Sequence, residues 1–203
     1  MREPAKLYLA SSNPGKLGEF RALARDSTLS APVQLELAPW FDVLPAFPED
    51  APTFAENALG KALHYSRERD GFVFADDSGL VVPALGGAPG VLSARYAGPE
   101  ASDAERNAKL LAELRGKSGA ERAACFVCVI ALAERGRAVA IVSARADGLI
   151  LQAPRGEGGF GYDPVFYFSA LGKSFAELSG DEKNIHSHRG KAFRRLLALM
   201  ERR

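Results

Sequence analysis

An apolar run of strand composition at residues 72–75, FVFA, leads straight into Asp76, Asp77, Ser78 and Gly79. No other stretch constrains the fold as strongly. Two adjacent carboxylates at the end of a buried strand repel one another and lose hydration, so a fold that keeps both must supply a cation or a proton. One reading is therefore a divalent metal or acid/base chemistry at this strand end. The other is a solvated Asp-Asp turn, which Ser78 and Gly79 suit equally.

The flanking pattern says what such a strand would pair with. Residues 6–10 read as a buried first strand, and 11–15 as a loop opening a helix at about Lys16, with Leu17, Phe20 and Ala24 at helical spacing. A second strand, 34–38, precedes a connection through Pro39, Pro45 and Pro48. Thr53 and Glu56 form a capping box for a helix with Phe54, Ala58, Ala62 and Tyr65 on one face. Residues 83–98 are dense in Gly and Pro and predict a long ordered loop, after which Ser102 and Glu105 cap a helix carrying Leu110, Leu111 and Leu114. Residues 122–133 and 138–146 predict an antiparallel hairpin joined through 134–137. A glycine-dense loop at 156–163 precedes a strand at 164–168. Ser179 and Glu182 then open a helix, and a basic terminal helix presents Phe193, Leu196, Leu197 and Met200. Early alternation of strands and helices followed by a hairpin predicts an α/β fold with a mixed sheet. With no internal repeat and no long linker, residues 1–203 read as a single domain.

Composition narrows the function. The chain has 203 residues, 47% apolar and 25% charged, enough for one core or for two lobes that share a sheet. Its 26 Lys and Arg balance 25 acidic residues, so any anion site must be local; neither nucleic acid nor a membrane surface is an expected partner. The basic tail from Lys191 reads as the solvated side of an amphipathic helix. No apolar run approaches the roughly 20 residues of a membrane span. Residues 1–4, MREP, lack the apolar stretch of a secretory signal, and a cytoplasmic location is the expectation. Cys125 and Cys128 share C-x-x-C spacing, but on a strand positions i and i+3 face opposite ways and no second pair completes a zinc site. They read as two unrelated thiols.

Several segments carry polar groups suited to an anionic, flat ligand. Ser11, Ser12, Asn13, Pro14, Gly15 and Lys16 lie between a strand and a helix, where backbone N–H groups, hydroxyls and a lysine hold phosphate in many proteins. They do not make a Walker A loop, and an ordinary helix cap needs only one of them. Phe160, Gly161, Tyr162 and Asp163 set two rings among glycines, either to stack on a base or to anchor a loop. Lys183, Asn184, Ser187, His188 and Arg189 concentrate donors near the C-terminus, as a ligand site or as a solvated helix start. His186 and His188 diverge by about 200° on a helix and cannot share a metal.

The order of seven blocks along the chain, at residues 10–16, 53–62, 75–80, 85–91, 93–96, 158–164 and 187–190, resembles the inosine triphosphatase family of non-canonical purine nucleoside triphosphate pyrophosphatases. The Maf-type nucleotide pyrophosphatases share the fold that this implies but not the blocks, and remain the alternative enzyme; a nucleotide-binding module without turnover is the alternative from another class. The resemblance implies an elongated two-lobed α/β fold with a long central mixed sheet, helices on both sides and a nucleotide cleft between the lobes. It also implies a homodimer and Mg²⁺-dependent hydrolysis of ITP, dITP and XTP to the monophosphate and pyrophosphate.

By position, residues 11–16 would bind the triphosphate, with Lys61 adding positive charge. Asp77 would hold the metal and accept a proton, with Asp76 in support, and Glu49 would be a second metal ligand. Ser78, Phe160, Gly161, Tyr162, Asp163, Lys183, His188 and Arg189 would complete the nucleotide site. Donors from His188 and Arg189 would favour a 6-oxo purine over adenine. Two departures from the family pattern are visible: Ser11 and Ser12 replace a frequent Thr-Gly, which keeps the hydroxyl at position 11, and His186 stands where an apolar residue is more usual.

Overall fold

The computed structural model describes residues 5–25, 33–67 and 70–202. Residues 1–4, the charged start read above, and Arg203, the end of the basic tail, lie outside them. The strands are β1 (Ala5–Leu9), β2 (Val33–Leu37), β3 (Phe72–Val81), β4 (Ala123–Glu134), β5 (Arg137–Ile150), β6 (Phe166–Phe168) and β7 (Lys173–Ser174). The helices are α1 (Pro14–Arg25), α2 (Phe54–Ser66), α3 (Asp103–Glu113), α4 (Gly180–His186) and α5 (His188–Glu201). The strands form one mixed sheet in the order β2-β1-β3-β4-β5-β6-β7. β1 runs parallel to β2 and β3, whereas β6 is antiparallel to β5 and β7. The expected α/β fold with a mixed sheet is borne out.

Local rules account for the boundaries. Asn13 caps α1 through Oδ1, which accepts from the Lys16 amide at 3.1 Å, and Pro14 occupies the first helical position, where a missing N–H costs nothing. The helix therefore begins two residues ahead of the expected Lys16. Thr53 Oγ1 accepts from the Glu56 amide at 3.2 Å and opens α2, and Ser102 and Glu105 close a capping box on α3. β4 and β5 join through Arg135 and Gly136, with φ of 48° and 71°, the two positive values that a tight hairpin turn requires. The loop expected over 83–98 is built on two 3-10 turns, Pro83–Leu85 and Gly90–Arg95.

The chain divides into two compact units, with boundaries inside β3, β4 and β5. The first comprises residues 1–77, 128–144 and 189–203. Its core joins β1 and β3 to α1 and α5, with Phe20 packed against Phe74 and Phe193 at ring separations of 5.1 Å. Burying each such ring contributes on the order of 2 kcal/mol. Phe193, Leu196 and Leu197 are buried as their spacing predicts. The second unit comprises residues 78–127 and 145–188, and its core gathers Leu110, Leu114, Phe126, Phe166 and Phe175.

Three expectations are corrected. β3 does not end at Ala75 but continues through Asp76, Asp77, Ser78 and Gly79 to Val81, so the solvated-turn reading fails: Asp76 is 0% exposed and Asp77 7%. Gly79 is required there because a Cβ would lie 2.3 Å from Ser93 Oγ and 2.5 Å from the Gly90 carbonyl oxygen. The C-terminal segment is two helices, not one, broken at Ser187 in extended conformation. The strand expected at 164–168 is limited to Phe166–Phe168, since the Val165 and Phe166 amides turn back to the Tyr162 carbonyl.

Candidate active site

In the first unit, β3 carries Asp76 and Asp77 into a buried setting that treats them differently. Asp76 Oδ2 meets Lys16 Nζ at 2.9 Å and lies 3.8 Å from an Arg189 guanidinium nitrogen. Burial pushes the Asp76 carboxyl up, but Lys16, Arg189 and Lys61 together outweigh it and hold it well below the usual carboxylate range. Asp76 is thus a fixed anion. Asp77 Oδ2 accepts from Asn57 Nδ2 at 3.0 Å. Burial raises the Asp77 carboxyl, Asn57 and Lys16 oppose the rise, and the charge of Glu49 adds to it; the net direction is upward.

Helix α2 organises this corner. Asn57, fully buried, also donates to the Ala51 carbonyl at 3.3 Å and accepts from the Ala51 amide at 3.0 Å. One turn on, buried Lys61 pairs with Glu49 at 2.9 Å. Gly60 lets the Phe47 ring lie against the helix, since a Cβ would come within 2.3 Å of it. The Pro-rich segment bearing Glu49 is therefore tied to α2 at several points. On α1, Glu19 sits three residues after Lys16 and forms an ion pair with Arg189, whose guanidinium is almost fully buried. Burial opposes the Arg189 charge, but Glu19 and Asp76 raise its proton affinity further. Of residues 11–16, Ser11 Oγ accepts from the Asn13 amide at 3.3 Å, Asn13 is used as the helix cap, and Ser12, Asn13 and Pro14 are exposed at the helix start.

The second unit holds the remaining expected residues. Asp163 Oδ2 accepts from the Phe160 amide at 2.8 Å and pairs with Lys183 at 2.5 Å, both side chains being buried. Lys183 Nζ lies 4.7 Å from the centroid of the half-buried Phe160 ring. Gly159 at φ +72° has no room for a side chain, because a Cβ would strike the Asp163 carboxylate. Tyr162 OH donates to the Ser93 carbonyl at 2.8 Å. His188 is buried and stacked on Phe126 at 4.7 Å with the rings 9° from parallel. Ser78 lies on β3 just beyond the acidic pair.

The structure thus brings Lys16, Asp76 and Arg189 together, Asp77 with Asn57, Lys61 with Glu49, and Phe160 with Asp163 and Lys183. Arg189 is engaged by carboxylates of its own unit. Asn57 and Glu19 were missed by sequence reasoning. The signal was available for Asn57, a polar residue four positions before Lys61 on a helix otherwise read by its apolar face. Among the described residues no three His, Cys, Asp or Glu side chains cluster as a metal cage, and no helix is long and apolar enough to cross a membrane. Cys125 and Cys128 lie on opposite faces of β4, as expected.

These features define a class: an α/β protein whose central strand carries one cation-locked carboxylate beside one that retains proton affinity. A profile of the Ham1 family matches residues 7–199, and the chain belongs to that family, which bears out the resemblance read from the seven blocks. Among its relatives, a dITP/XTP pyrophosphatase of Geobacillus kaustophilus is 50% identical over 191 residues, covering 94% of this chain and 92% of that protein. A dITP/XTP pyrophosphatase of Thermus thermophilus is 47% identical over 193 residues, covering 95% and 90%. Among solved structures, a HAM1 protein from Coxiella burnetii superposes with a TM-score of 0.85 at 40% identity, covering 98% of this chain and all of that one.

Proposed function

We propose that the protein hydrolyses ITP, dITP and XTP to the nucleoside monophosphate and pyrophosphate, as a cytoplasmic enzyme that clears the nucleotide pool. The observation that carries this reading is 50% identity, along nearly the whole chain, to a relative named for dITP/XTP pyrophosphatase activity. It sets aside both the Maf-type alternative and a binder without turnover. A homodimer, the state implied by the family resemblance, is part of the proposal.

The arrangement in the first unit supports specific roles. Asp77 and Glu49 would hold Mg²⁺, and they fit it: the rise in Asp77 proton affinity from burial and from Glu49 marks an acidic pocket that a cation relieves. Two carboxylates suffice for an ion that keeps several waters and takes phosphate oxygens as ligands. When bound, Mg²⁺ supplies charge neutralisation on the phosphates and a more acidic water. Lys16 and Lys61 bring positive charge to the phosphate chain, and the amides opening α1 orient it. Asp77 takes the water's proton at a carboxylate oxygen, since its affinity exceeds that of an ordinary aspartate. Asp76 stays ionised and holds the Lys16 ammonium in position. In the second unit, Phe160 offers a ring face for the base, steadied by Asp163 and Lys183, and His188 provides a donor suited to a 6-oxo group.

The test is pyrophosphate release from ITP, dITP, XTP, GTP, ATP and dUTP, with Mg²⁺ and with EDTA. Turnover of ITP, dITP and XTP that vanishes with EDTA, with kcat/KM for ATP lower by about 100-fold, is the expected pattern. Equal turnover of ATP and dITP would contradict it.

A further inference from the structure

Helix α3 grips the 158–163 loop through two side chains one turn apart. Asp103 Oδ2 accepts from the Gly161 amide at 2.6 Å, and Asn107 Nδ2 donates to the Gly161 carbonyl at 3.0 Å. Residues i and i+4 share a helix face, so one face takes both backbone polar groups of a single glycine. Gly161 has φ +64°, a conformation that glycine adopts without strain. The two bonds fix the peptide planes on either side of Gly161, and the first of these planes contains the Phe160 Cα. The next amide back, that of Phe160, is fixed by Asp163, which Lys183 holds in turn. The direction in which the Phe160 ring leaves the backbone is therefore set from both sides.

Neither residue is explained by packing alone. Asn107 is 5% exposed, and among the described residues its Oδ1 has no hydrogen-bond partner. An apolar side chain would fill that position without stranding an acceptor, so the carboxamide is there for the bond its Nδ2 makes. Asp103 is itself pinned by an ion pair with Arg106, which also donates to the Ala94 carbonyl at 2.9 Å.

We propose that Asp103 and Asn107 are positioning residues for the nucleotide base: by clamping Gly161 they hold the Phe160 ring in the orientation on which a purine stacks. This rests on the reading that Phe160 takes the base. The experiment measures kcat and KM for dITP in Asn107→Ala, Asp103→Ala, Asp103→Asn, Phe160→Ala and the Phe160→Ala/Asn107→Ala double variant, alongside thermal melts. Asn107→Ala and Asp103→Ala are expected to raise KM at least about fivefold with kcat within about twofold, a loss of ground-state positioning. Asp103→Asn keeps an acceptor oxygen and should restore most of the affinity. Because the clamp acts through Phe160, the double variant should show no further rise over Phe160→Ala alone. An unchanged KM in both alanine variants, or additive effects in the double variant, overturns the proposal. If Phe160→Ala raises KM while the α3 variants do not, the clamp alone fails; if Phe160→Ala also leaves KM unchanged, the base-site reading fails with it. Should Asn107→Ala not fold, the Asp103 pair decides by the same criteria.

Discussion

Asn57→Ala removes the group that joins Asp77 to the Pro-rich segment. The variant loses a donor to Asp77 Oδ2 at 3.0 Å and two bonds with Ala51, at 3.0 and 3.3 Å, all made by a fully buried carboxamide. A hydrogen bond to a charged group contributes about 1.5–3 kcal/mol. If Asp77 needs that bond in the transition state, kcat for dITP falls by about 10- to 150-fold, at about 1.4 kcal/mol per decade. The Ala51 bonds, at about 0.5–1.5 kcal/mol each, lower stability by about 1–3 kcal/mol. In a chain of this size that is a fall in Tm of roughly 3–10 °C. The Asp77 carboxyl also loses its main hydrogen-bonded support and moves further above the ordinary range. The assay is steady-state pyrophosphate release with Mg²⁺ at saturating dITP, with a calorimetric melt on the same sample. A kcat within about twofold of the parent would refute the claim that Asn57 orients a catalytic carboxylate.

Three further outcomes follow from the same geometry. Asp77→Asn should abolish turnover of dITP while nucleotide binding remains measurable by calorimetry; near-normal hydrolysis would remove Asp77 from the chemistry. Phe160→Ala should raise KM for dITP by roughly 5- to 150-fold, since stacking a base on a ring contributes about 1–3 kcal/mol; unchanged kinetics would leave Phe160 a loop anchor. Burial pushes the Cys128 thiol well above its ordinary range, so a thiol reagent at pH 8 should label Cys125 in the native protein and Cys128 only after unfolding; rapid labelling of both would contradict the packing of β4.

Much of the fold was legible because local rules agree with the final structure. The caps at Thr53, Ser102 and Ser179 are where their spacing put them, and the 193/196/197 face of α5 is buried as its period predicts. What was not legible depends on partners distant in sequence. β3 continues through two aspartates because Lys16, 60 positions before Asp76, and Arg189, 113 positions after it, supply the compensating charge. No window around Asp76 contains that information, so the strand read as ending in a turn. Arg189 read as an open fork of donors because its partner Glu19 lies on the first helix. Asn57 was hidden by an apolar periodicity that explained its helix well enough without it. The seven ordered blocks located the functional segments, yet they could not say which of two neighbouring carboxylates is locked and which retains proton affinity.

The account's central claim is that the chain cleaves between the α- and β-phosphates of a non-canonical purine nucleoside triphosphate. ³¹P NMR of dITP incubated with the protein and Mg²⁺ reads this directly. The expected products are dIMP and pyrophosphate in equal amounts, with no orthophosphate resonance. Release of orthophosphate with accumulation of dIDP would contradict the account.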